Sequence, residues 1–196
     1  MSRYDPETAL IVVDYQNDFA DPKGSLYVSG GDLIVGFINS QIADARAADA
    51  SVIFTQDWHP ESTPHFEKDG GIWPVHCVGG TWGAELHPVL DARAEEARIR
   101  KGVGGEDGYS GFTVADPKTG EKSATDLERQ LRDRGTRRVV VIGLATDYCV
   151  KATAIDAATK GFDTTVLEDG IRAVNLQPDD GENAIKEIGE AGVRLE

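Results

Sequence analysis

Apolar residues recur along this chain in two alternating rhythms. Short unbroken runs, Ala9-Leu10-Ile11-Val12-Val13 and Ser51-Val52-Ile53-Phe54-Thr55, have the length and β-branched content of buried strands. Between them Leu33, Ile34, Phe37, Ile38, Ile42 and Ala45 recur at three- and four-residue steps. That spacing predicts a helix over residues 32–49 with one buried face. A helix over residues 85–96 and a short strand at Arg98-Ile99-Arg100 follow. Thr125, with Glu128 three residues on, has the spacing of a capping box, and Gly135 supplies a stop for the helix it would start. Arg138-Val139-Val140-Val141-Ile142 is the strongest strand signal. A helix over residues 149–160 ending at Gly161, a strand at Thr164-Thr165-Val166-Leu167, a helix over residues 183–190 and a last strand at Val193-Arg194-Leu195 complete the series.

Two stretches, residues 56–82 and 102–122, lack either rhythm and are rich in glycine. The first holds Trp58, Trp73 and Trp82, which argues against disorder and for a functional loop. Alternation of apolar strands with amphipathic helices predicts an α/β fold, a mostly parallel sheet covered by helices on both faces. There is no repeat and no linker, so a single domain over residues 1–196 is expected.

Composition narrows the function classes. A formal net charge of −14 would repel phosphate backbones, so nucleic acid is not an expected partner. No run approaches the roughly 20 apolar residues that span a bilayer, so no membrane partner is expected either. The run Ala9 to Val13 follows Asp5 and Glu7 and does not read as a signal peptide, so a cytoplasmic protein is expected. Cys77 and Cys149 do not make a disulfide framework in a chain of 196 residues.

In open parallel sheets, ligands bind beyond the carboxyl ends of the strands. Asp14 follows the first strand, Asp57 and His59 the second, Lys101 the third, and Cys149 the turn after the strongest strand. Each has a plain structural reading when taken alone: a core cysteine, a turn-capping aspartate, a solvated lysine. Their shared edge favours chemistry. Cys149 at a helix start is expected to have a lowered thiol pKa. Asp14 could take its proton, and Lys101 could steady negative charge. His59, His65, His76 and His87 all fall within one stretch, and Asp57 and His59 point the same way along an extended segment. Imidazole with carboxylate suits zinc, iron or manganese in an open site. His87 precedes Pro88 and reads as a surface residue. Gly102 and Gly104 begin a dinucleotide fingerprint, but Asp107 stands where its third glycine belongs.

Together, Asp14-Tyr15-Gln16-Asn17-Asp18-Phe19, Asp57-Trp58-His59-Pro60, Trp73-Pro74-Val75-His76-Cys77, Lys101-Gly102 with Tyr109-Ser110-Gly111-Phe112, and Gly143-Leu144-Ala145-Thr146-Asp147-Tyr148-Cys149-Val150 form a specific set. The set resembles the nicotinamidase/pyrazinamidase branch of the isochorismatase-like cysteine hydrolases. The resemblance implies a three-layer α/β/α domain that hydrolyses nicotinamide to nicotinate and ammonia in NAD salvage. By it, Asp14, Lys101 and Cys149 form the catalytic triad, and the Ala145 and Cys149 N–H groups form the oxyanion hole, with a cis bond between Leu144 and Ala145. Phe19, Trp73 and Tyr109 would wall the substrate ring. Asp57, His59 and His76 would hold one divalent transition metal, zinc before iron or manganese, with His65 as a further candidate ligand. The expected partner is a small-molecule carboxamide, and a homo-oligomer is compatible with the sequence. Two rivals stand beside this reading: another amide or ureido hydrolase of the same family, and a non-catalytic binding or thiol redox-sensing protein.

Overall fold

The computed structural model describes residues 3–196. Among them, six strands form one sheet in the order β3-β2-β1-β6-β7-β8. These are β1 (Thr8–Val13), β2 (Ser51–Asp57), β3 (Ala97–Lys101), β6 (Arg138–Leu144), β7 (Asp163–Arg172) and β8 (Arg194–Leu195). Every neighbouring pair is parallel. Strands β4 (Thr113–Ala115) and β5 (Lys122–Ala124) form a separate antiparallel pair inside the second glycine-rich stretch. No periodicity announced that hairpin, because three-residue strands are too short to show one.

Alternation along β1 divides the core. Leu10 and Val12 face one side, with Ile34, Ile38, Ile42 and Ala45 from α2 (Val35–Ala47) and the turn before it. Ala9, Ile11 and Val13 face the other, with Leu127 and Leu131 of α3 (Leu127–Asp133), Ala154 and Ala157 of α4 (Lys151–Thr159), and Ile188 of α5 (Asp180–Glu190). A four-residue helix, α1 (Asn17–Ala20), follows β1. The sheet is thus covered on both faces. No helix among the described residues is long and apolar enough to cross a membrane.

Three local expectations need correction. Residues 85–96 form no helix. Pro88 lacks an N–H, and nearby backbone groups are engaged by other segments. The His87 N–H donates to Tyr15 O, Asn39 Nδ2 donates to Val89 O, and the Asp91 N–H donates to Asn39 Oδ1. Arg46 then clamps Asp91 and Glu96 at 2.6 and 2.8 Å. The capping box at Thr125 is not closed either. Thr125 Oγ1 donates to Gly111 O and accepts from the Leu127 N–H, while Glu128 turns to Lys160 at 2.7 Å. His87 is half-buried rather than a surface residue. Its ring meets Tyr15 edge-on and lies 3.7 Å from Asp21.

Strand order reverses between β1 and β6, since β2 and β3 extend from one and β7 and β8 from the other. The crevice at such a switch point is where open α/β sheets bind ligands.

Candidate active site

Asp14 leaves β1 with a φ of 45°, a left-handed conformation that aspartate tolerates better than most residues. The side chain is fully buried. Thr55 Oγ1 donates to its Oδ1 at 2.6 Å, and Lys101 Nζ lies 2.8 Å from its Oδ2. Lys101 ends β3 in register with Asp57 at the end of β2. It donates to Asp57 Oδ1 and sits 3.5 Å from Cys149 Sγ. One ammonium therefore faces two carboxylates and the thiol. Asp14, Asp57 and Cys149 each bring one atom within 4.8 Å of the others'.

Burial sets the charges. Desolvation pushes the Asp14 carboxyl above its ordinary value, against the pull of Lys101. Burial opposes the charge on Lys101, but Asp14 and Asp57 hold its pKa well above the usual lysine range. For Asp57, burial is outweighed by Lys101, His59 and His76, which keep it below the carboxylate range. The Cys149 thiol is raised by burial, only partly offset by Lys101. The expected lowered thiol is therefore corrected. Cys149 lies in a π-helical turn, Thr146–Val150, that precedes α4, where burial and the nearby Asp14 and Asp57 carboxylates disfavour the thiolate.

The peptide bond between Leu144 and Ala145 is cis, as expected. Asp147 ties the turn to the segment that follows β7. Its Oδ1 accepts the Val174 N–H at 2.9 Å and its Oδ2 the Asn175 N–H at 2.8 Å.

Across the crevice, His59, His65 and His76 each bring one ring nitrogen within 4.8 Å of the others'. Asp57 Oδ2 stands 3.8 Å from His59 Nε2 and 3.9 Å from His76 Nε2. His76 Nδ1 is engaged by Pro74 O at 2.7 Å, and His65 Nδ1 by Asp107 Oδ1 at 2.8 Å. Both His59 nitrogens are buried without a hydrogen-bond partner among the described residues. Orphaned buried nitrogens are costly, and an ion held by this donor set would satisfy one of them. Burial also keeps the His76 imidazole neutral near pH 7, with its pKa lowered to about 4, as a metal ligand requires. The residues present fit a divalent transition metal.

Between the two groups lies a pocket. Phe19, Trp73 and Tyr109 line it. Trp73 Nε1 donates to the Tyr109 hydroxyl at 3.1 Å. Tyr148, Leu26 and Val174 also line it and were not anticipated. Tyr148 meets Trp73 edge-on with ring centroids 4.8 Å apart. Its position beside Cys149 was a usable signal; Leu26 and Val174 carry none in the sequence. Cys77 is buried beside His76, with its N–H on Asp18 Oδ2 and its thiol facing Gly83 O.

The sequence matches the family model described as isochorismatase domain over residues 8–195. It is similar to the nicotinamidase/pyrazinamidase of Mycobacterium tuberculosis, 41% identical, with 95% of this chain and 97% of the relative covered. Among solved structures, the pyrazinamidase of Pyrococcus horikoshii in complex with zinc is 40% identical, with a TM-score of 0.86 over 97% of this chain and 99% of that one. A protein of L. infantum in complex with nicotinate is 40% identical, with a TM-score of 0.88 over 97% of this chain and 92% of that one.

Proposed function

Since this chain belongs to the isochorismatase domain family, we propose that it is a nicotinamidase, hydrolysing nicotinamide to nicotinate and ammonia through a thioester on Cys149. The observation that carries this reading is one aromatic pocket with a Cys–Asp–Lys group on one side and three histidines on the other.

The resting sulfur is a neutral thiol, so attack needs a base. Asp14, with a raised proton affinity, takes the thiol proton in its carboxylate form as Cys149 Sγ bonds to the carboxamide carbon. The Ala145 and Cys149 N–H groups receive the oxyanion. Collapse of the tetrahedral centre breaks the C–N bond, and Asp14 returns the proton to the leaving ammonia. A water then attacks the thioester with Asp14 as base, releasing nicotinate and the thiol. Throughout, Lys101 balances the carboxylate charge beside the sulfur.

A divalent metal, zinc by the mixed imidazole and carboxylate donors, would be held by Asp57, His59, His76 and His65 and would supply a Lewis-acid anchor for the pyridine nitrogen. The aromatic wall favours a ring-bearing carboxamide over a small aliphatic ureido substrate. Redox-sensing thiols are low in pKa and solvent-accessible, and Cys149 is neither. One domain over the chain is supported by the continuous sheet, and a cytoplasmic setting by the two free thiols.

Cys149→Ala is expected to abolish ammonia release from nicotinamide. Unchanged turnover in that variant would overturn the mechanism, and a preference of the wild type for carbamoylated amines would favour the ureido hydrolase instead.

A further inference from the structure

The residue that breaks the glycine fingerprint after Lys101 has a well-defined setting. Asp107 exchanges backbone hydrogen bonds with Ala115, its N–H donating at 2.7 Å and its carbonyl accepting at 2.6 Å. Ala115 ends β4, which is in turn paired with β5. The hairpin therefore anchors the Asp107 backbone. Its carboxylate is fixed as well: Oδ1 accepts the Gly108 N–H at 2.8 Å and meets His65 Nδ1 at 2.8 Å.

We infer that Asp107 is a positioning residue that holds His65 in the Nδ1–H form, leaving Nε2 as a direct ligand to the bound metal. The inference rests on the metal reading of the site given above. Two of the three clustered histidines then follow one rule. His76 gives Nδ1–H to Pro74 O, and His65 gives Nδ1–H to Asp107. In each case the remaining nitrogen is the basic one, because an imidazole that donates through one nitrogen keeps its lone pair on the other. An oxygen acceptor behind a ligating histidine also raises its basicity and fixes its ring plane. A structural salt bridge is the weaker explanation. The Asp107 side chain is 45% exposed, and ion pairs with that much solvent contribute little to stability.

The test is zinc affinity, measured by chelator competition on the metal-free full chain, with ammonia release from nicotinamide followed in parallel. Asp107→Ala should weaken zinc binding by about 10–100-fold. Asp107→Asn should retain most of the affinity, since its amide oxygen accepts the same N–H. In a His65→Ala background, Asp107→Ala should cause no further loss, because Asp107 acts through that ring alone. The cobalt-substituted protein should show the same altered visible spectrum in His65→Ala with and without the second change. Equal losses in both backgrounds, or no loss in Asp107→Ala, would overturn the inference while wild-type zinc binding and turnover leave the functional reading standing. Wild-type protein that neither binds zinc nor releases ammonia would overturn both.

Discussion

A carboxylate 2.8 Å from a lysine is ordinarily an acid stronger than usual, and Asp14 is the reverse because no water reaches it. The base must be ionised to accept the thiol proton, so activity should fall as pH drops through the raised Asp14 pKa. The acid limb of kcat/KM is therefore expected above the ordinary aspartate value of about 3.9. A limb at or below that value would contradict the assignment. Asp14→Asn should lower kcat by about 10²–10⁴-fold, the usual worth of a general base. At this scale the sequence was legible where strand ends could be located: Asp14, Lys101, Asp57 and Cys149 do share one edge of the sheet. Partnerships between distant side chains were not legible. Nothing near Asp57 announces that one oxygen faces Lys101 and the other faces His59 and His76. Nothing near Asp107 announces His65, 42 positions away.

Among elements, the long strands and α2 were readable because burial imposes a period on them. Residues 85–96 carry no local sign that the Asn39 and Arg46 side chains engage their backbone, which is what keeps them from forming a helix. The junction of β1 and β6 shows how tightly the strands beside the crevice are set. Gly143 has a φ of 117°, pairs with Val13, and lies at a register shift between β6 and β7. A Cβ there would come 2.1 Å from Val13 O, a backbone atom that cannot swing aside. Gly143→Ala is expected to destabilise the protein by about 3 kcal/mol or more, the upper part of the range for single substitutions. Denaturant unfolding at fixed metal content measures it, and a loss below about 0.5 kcal/mol would show that the strands can part at this point.

For the molecule as a whole, the formal net charge of −14 is a self-repulsion that the sheet and its helices must overcome. Raising monovalent salt from about 10 to 100 mM shortens the screening length from about 30 to 10 Å. Tm should rise with it, by about 2–4 °C for each kcal/mol of repulsion relieved in a chain of this size. A falling Tm would mean that the surface ion pairs outweigh the excess acid. The alternation of the chain announced the two-sided architecture, whereas the hairpin β4–β5 and the closure of the pocket depend on contacts with no local signature. Asp147 carries the consequence of that closure. It sits in the same turn as Cys149 and accepts the Val174 and Asn175 N–H groups of the segment that follows β7. The turn that carries Cys149 and the Val174 side of the pocket thus share one anchor, and a shift of Val174 would pull on the hydrogen bonds that tie it to that turn.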